Sequence, residues 1–172
     1  MICLDAKICR LRALESADVD LLYIWENDVE VWRVSGTMAP LSYERIARFV
    51  QEQDYDLNTT HQMRLMVEVE GRAVGTVDIF DYDPQHQRLG IGVLIYADED
   101  RRRGYARSAI EAIADYARNV LGLRQIWAQI ATDNHASISL FESLGFERCG
   151  TRRDWLRRGT NYIDLHDYQL LL

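Results

Sequence analysis

The strongest constraint on the fold lies in residues 88–131, where two strand patterns flank one long helical pattern. Segment 88–96 reads Arg-Leu-Gly-Ile-Gly-Val-Leu-Ile-Tyr, and segment 125–131 alternates Ile126, Ala128 and Ile130 against Trp127 and Gln129. Between them Ala106, Ala109, Ile110, Ile113, Ala117, Val120 and Leu121 recur at the helical period. Strands joined through a helix of this length pair side by side in parallel, because a tight turn can connect only antiparallel neighbours. Gly90 and Gly92 weaken the first strand's interior, where glycine marks a bulge or a close backbone approach.

The flanking segments add antiparallel elements. Residues 8–14 alternate as a first strand, Ser16 offers an N-cap, and Val19, Leu22 and Trp25 follow at helical spacing. A second cap at Ser42 opens a helix with Tyr43, Ile46, Phe49 and Val50 on one face, and the stretch 27–40 between these helices reads as an irregular loop. Strands at 63–69 and 73–80 flank Glu70, Gly71 and Arg72 as a hairpin. Residues 137–144 form a short helix ended by Gly145, and strands at 147–156 and 161–170, joined around Arg157, Arg158 and Gly159, close the chain. The order β-α-α-β-β-β-α-β-α-β-β implies an α/β sandwich on a mixed sheet. With 172 residues, two prolines and no linker-like tract, residues 1–172 are expected to form a single domain.

Composition narrows the function classes. A net charge of −7 disfavours a nucleic-acid partner, since phosphate backbones recruit basic surfaces, and a cationic small substrate fits it better. No apolar run is long enough for a membrane span or a signal peptide, so no membrane partner and a cytoplasmic location are expected. Cys3, Cys9 and Cys149 make no disulfide framework or zinc spacing, and His61, His86, His135 and His166 are dispersed, so no metal is expected.

The chemistry concentrates at two segments. Arg101-Arg102-Arg103-Gly104-Tyr105-Ala106 falls where a strand ends and the long helix begins. Amides at a helix N-terminus point outward unpaired and favour an anion such as a pyrophosphate. Gly104 and Ala106 leave room for it, and the arginines add charge-assisted contacts from the rim. Three cations beside a positive dipole end would repel one another without an anionic partner. The second segment, Asn134 to Phe146, places Ile138, Leu140, Phe141 and Leu144 on one helix face behind Asn134, itself suited to a turn or a local cap.

Together these segments resemble the GNAT family of N-acetyltransferases, which acetylate amines from acetyl-CoA, and the similarity runs nearly full length. Arg101-x-x-Gly104-x-Ala106 looks like the family's pyrophosphate loop, continued by Arg107, and Asn134 through Gly145-Phe146 looks like its second CoA-contacting motif. Leu11-Arg12-Ala13-Leu14-Glu15 and Gly159-Thr160-Asn161-Tyr162 are similar to the branch of bacterial spermidine and ribosomal-protein alanine acetyltransferases. The resemblance implies a mixed, mostly antiparallel sheet with a splayed central strand pair. There the backbone of Val93, Leu94 and Ile95 takes the pantetheine arm as an added strand, and an N–H polarises the thioester oxygen. It also implies CoA contacts from Arg101, Arg102, Arg103, Gly104, Tyr105, Ala106, Arg107, Asn134, Ser137 and Phe141, with acetyl-CoA as co-substrate.

The sequence departs from that pattern at the reacting groups. Many members carry a Glu on the splayed strand, where this chain has Leu89-Gly90-Ile91-Gly92, so Asp78 and Asp81 are the substitute candidates for the base. The tyrosine that often protonates the departing thiolate falls at Phe141, leaving Tyr105, Ser137 or water. On the acceptor side, which the first two helices cover in this family, Glu26, Asp28 and Glu30 could attract a cationic amine. The acidic pair of the spermidine enzymes is replaced by Ser35-Gly36-Thr37. The expected function is acetyl transfer to a small polyamine-like amine. The alternatives are acetylation of a protein N-terminus and a catalytically silent CoA-binding module, and a homo-oligomer is compatible with each.

Overall fold

The computed structural model describes residues 3–53 and 55–172. Eight strands form one sheet: β1 (Cys3–Asp5), β2 (Arg10–Ala13), β3 (Met63–Val69), β4 (Arg72–Asp83), β5 (Arg88–Ile95), β6 (Gln125–Ala131), β7 (Glu147–Arg158) and β8 (Asn161–Leu171). Their spatial order is β1-β2-β3-β4-β5-β6-β8-β7, antiparallel throughout except between β5 and β6. The helices are α1 (Val19–Glu26), α2 (Val29–Ser35), α3 (Tyr43–Gln51), α4 (Leu57–Thr60), α5 (Tyr105–Asn119) and α6 (His135–Ser143).

Strand periodicity decides which helices cover which face. On β3, Leu65 and Val67 join a core with Ala109, Ile110, Ile113 and Ala117 of α5, whereas Met66 between them joins Leu22 and Trp25 of α1 and Ile46 and Val50 of α3. The sheet is thus buried on both sides around β3, while β7 at its edge is largely exposed, and the sandwich expected from the sequence is present. All four α5 residues are essentially inaccessible, and removing a buried isoleucine such as Ile110 down to alanine costs about 2–5 kcal/mol.

Local chemistry corrects several boundaries. The stretch 27–40 is not wholly irregular: it contains α2, whose start is capped by Asp28 accepting the Glu30 N–H at 2.9 Å and whose end turns through Gly36 at φ +75°. The first strand is shorter than expected, and β1 pairs outside it. Ser16 does not cap α1. A 3₁₀ turn, Ser16–Asp18, precedes the helix, and the buried Asp18 carboxylate takes the Glu15 N–H at 2.8 Å and both terminal nitrogens of Arg12 at 2.7 and 2.8 Å. β4 runs three residues beyond the expected end at 80, through a register shift at Asp81, where φ is +48°.

The sheet parts at its centre. β5 pairs with β6 only over Arg88–Gly90 against Gln125–Trp127, while β5 stays bonded to β4 as far as Ile95 and β6 stays bonded to β8 as far as Ala131. Beyond Gly90 the two strands diverge, each held from its outer side. Gly90 has a steric role at this point, since a Cβ there would stand 2.3 Å from the Phe80 ring, which packs edge-on against Trp127.

Candidate active site in the splayed sheet

A cleft of about 890 Å³ opens where β5 and β6 separate. Ile91 to Leu94 form one wall and Ala128 to Ala131 the other, with Asn134, Ser137 and Phe141 of α6 beside the second wall. In an intact sheet these strand edges would bond each other, so the divergence leaves them facing the cleft. Val93 and Leu94 line the cleft. Ile95 is buried at its end.

The arginine-rich loop stands just beyond Ile95. Arg101 reaches back to it: Nε donates to the Ile95 carbonyl at 3.0 Å, Nη2 to that of Tyr96 at 2.9 Å and Nη1 to Asp98 Oδ1 at 2.7 Å. This guanidinium therefore fixes the loop to the strand. Arg102 and Gly104 both adopt left-handed backbone, at φ +60° and +87°, and Gly104 is the residue from which α5 starts. The amides of Tyr105, Ala106 and Arg107 precede any carbonyl one turn back in the helix, so they are free to meet an anion. Arg102 and Arg103 are exposed at the rim, with Arg103 Nε on the Glu99 carbonyl, and Arg107 ties α5 to Ser143 of α6.

On the opposite side of the cleft the charged groups gather on a residue that the sequence reading missed. Arg64 of β3 donates to Glu26 of α1 and, through two nitrogens, to Asp78 of β4, with Nη2 to Asp78 Oδ2 at 3.1 Å. Burial works against its charge, but the two carboxylates hold the guanidinium protonated above its ordinary range. All three residues line the cleft. Asp78 lies directly across the ladder from Gly92, with its carboxylate turned to Arg64.

The other candidates are dispersed. Asp28 caps α2 and also accepts the Tyr96 hydroxyl at 2.9 Å, and Glu30 is an exposed partner of Arg33. Of the three acceptor-side acids, Glu26 alone lines the cleft. Asp81 is exposed on the β4 bulge, and Tyr105 begins α5 with its carbonyl taking the Cys9 thiol; neither lines the cleft, whose described lining contains no tyrosine. Asn134 caps α6 by accepting the Ser137 N–H at 3.2 Å, and Phe141 is buried edge-on against Phe146, 4.9 Å between centroids. Among the described residues no His, Cys, Asp or Glu group could hold a metal ion, and no helix is long and apolar enough to cross a membrane.

The profile of the acetyltransferase (GNAT) domain matches residues 9–147, a span that contains the splay, the loop and the α6 segment. The chain belongs to the GNAT acetyltransferases. It is similar to the uncharacterized N-acetyltransferase p20 of Bacillus licheniformis, 28% identical over 167 residues that cover 94% of this chain and 91% of that protein. It is also similar to spermidine N(1)-acetyltransferase of Escherichia coli K12, 25% identical over 142 residues, with 83% and 74% of the two chains covered. The GNAT fold is matched by spermidine N-acetyltransferase from Vibrio cholerae, solved in complex with CoA and spermine. That structure has a TM-score of 0.83 at 22% identity and 94% coverage of both chains. As a GNAT acetyltransferase, the protein is an enzyme of the acyltransferase class.

Proposed function

We propose that this protein transfers an acetyl group directly from acetyl-CoA to a primary amine inside the cleft between β5 and β6. The observation that carries this reading is the one-sided pairing of the two strands beyond Gly90, which leaves strand-edge backbone along the cleft beside a left-handed loop at a helix N-terminus. Backbone groups of Val93, Leu94 and Ile95 hold the pantetheine arm, and an N–H among them polarises the thioester carbonyl. Amides of Gly104, Tyr105, Ala106 and Arg107 face the pyrophosphate, Arg102 and Arg103 add charge at the rim, and Arg101 keeps the loop in place. Asn134, Ser137 and Phe141 form the other wall.

The amine enters from the side of α1, α2 and β3. The ammonium first loses a proton to solvent, and the neutral nitrogen then forms the C–N bond as the C–S bond breaks, so one further proton must leave the nitrogen and one must reach the departing sulfur. Asp78 is the proposed acceptor of that further proton from nitrogen, through water, because it is the carboxylate nearest in the ladder to the missing Glu position. The Ser137 hydroxyl or water supplies the proton to sulfur. No covalent enzyme intermediate is required.

Relatives named for spermidine support an amine acceptor, and peptide N-termini offer the same nucleophile. Incubation with acetyl-CoA and a panel of polyamines and peptides, followed by free-thiol release, tests the reading. Amine-dependent release supports it, and tight acetyl-CoA binding without release from any amine would instead make the protein a silent CoA-binding module.

A further inference from the structure

The acceptor side of the cleft opens into a vestibule whose charge is opposite to that of the chain. This recess, about 490 Å³ between α2 and the turn from β7 to β8, is lined by Trp32, Arg33, Thr37, Arg157, Arg158 and Gly159. All but Gly159 also line the main cleft, so the two spaces are continuous. The vestibule lining carries three arginines and no acid, in a chain with 27 acidic and 20 basic residues. Farther in, Glu26 and Asp78 are both bound by Arg64.

The three vestibule arginines differ in how their charge is met: one is balanced, one is weakly paired and one has a neutral partner. Arg158 Nε meets Asp133 at 2.9 Å, so that cation is balanced. Arg33 pairs with Glu30 at 3.2 Å, but both side chains are more than 60% exposed, and such one-turn surface pairs are weak and readily exchanged. Arg157 donates Nε to the Gly159 carbonyl, a neutral partner, which orients the guanidinium without neutralising it. The Trp32 indole beside these arginines donates to the Glu26 carbonyl at 2.6 Å. A second ammonium on the acceptor would meet like charge here, whereas a carboxylate would find forked donors suited to it.

We infer that the preferred acceptor is a primary amine bearing a carboxylate at its far end, held by Arg33 and Arg157 in the vestibule while the amine reaches the cleft. This rests on the acetyl-transfer reading above, and it selects an amino-acid-like or acidic peptide acceptor over a polyamine. The attraction is between partly exposed charges, so it weakens with salt.

A matched pair of acceptors tests it: aminocaproate, with one amine and one carboxylate, and hexamethylenediamine, of similar length with two amines. The kcat/KM for aminocaproate should exceed that for the diamine by at least about tenfold at low salt. Arg33→Gln with Arg157→Gln should erase most of that ratio through the KM of aminocaproate, with acetyl-CoA affinity by calorimetry unchanged. A second arm compares Ala-Glu and Ala-Gln peptide amides; a preference confined to this arm identifies the carboxylate as a peptide side chain. A diamine preferred over aminocaproate, with no preference for Ala-Glu, overturns the inference and leaves acetyl transfer standing. So does a ratio that survives the double substitution. Absence of thiol release with all four acceptors overturns this inference, and absence with the polyamine and peptide panel as well overturns both.

Discussion

Arg64 organises the side of the cleft formed by α1, β3 and β4, because one guanidinium there binds a carboxylate from a helix and another from a strand. Its removal would leave Glu26 and Asp78 partly buried without their cation, and Arg64→Met is expected to destabilise the protein by about 3 kcal/mol in urea unfolding. Asp78→Asn keeps the volume and loses the proposed proton acceptor, so kcat should fall by about a hundredfold while acetyl-CoA affinity is unchanged. Phe141→Tyr adds a donor to the cleft wall at small cost in volume, and activity should be retained or rise. A large loss would mean that the ring packs against the thioester. These roles differ in how far the sequence could disclose them. Asp78 was legible as an acid near the site, but Arg64 was not singled out, although a charge beside Met63, Leu65 and Met66 in a strand buried on both faces carries a signal, since such a charge must be paired. Asp28 was misplaced because its carboxylate caps its own helix and receives the Tyr96 hydroxyl, contacts that spacing does not show.

At the scale of elements, the strand-loop-helix unit at 88–131 and the antiparallel flanks follow from periodicity, and their positions agree with the observed elements to within a few residues. Three elements, β1, α2 and α4, lie outside that reading, and α2 was hidden by Val29, Val31 and Val34, whose β-branched side chains weaken a helical reading. The Asp28 cap and the Gly36 terminus were the overlooked signals. The loop before α5 depends on two restraints that can be tested separately. A side chain at Gly104 must adopt φ near +87° and crowd Ile8, so Gly104→Val should lower acetyl-CoA affinity at least about tenfold in a protein that still folds. Asp100, buried in the 3₁₀ turn Asp98–Asp100, receives Arg72 at 2.7 and 2.8 Å, and that guanidinium holds its carboxyl below the usual carboxylate range. A depressed folded value gives stability that is present above the unfolded pKa, near 4, and lost as pH falls through the folded value. Wild type should therefore exceed Asp100→Asn in stability at neutral pH, and the gap should narrow below about pH 4 in urea titrations read at several pH values.

For the whole molecule, one sheet holds the two halves of the cleft apart by pairing each strand on its outer side. A ligand that enters the gap supplies backbone partners and stabilises the native state, and acetyl-CoA at about a hundred times its Kd should add about 2.7 kcal/mol. Direct passage of the acetyl group to an amine within this cleft follows from the proposed function. Its most direct test is mass spectrometry of intact protein and products after incubation with acetyl-CoA, with and without the acceptor. Without amine, the protein should gain no acetyl mass and release no thiol; with amine, each thiol released should be matched by one acetylated acceptor. An acetylated protein that passes its group to the amine, or thiol release independent of any amine, would contradict it.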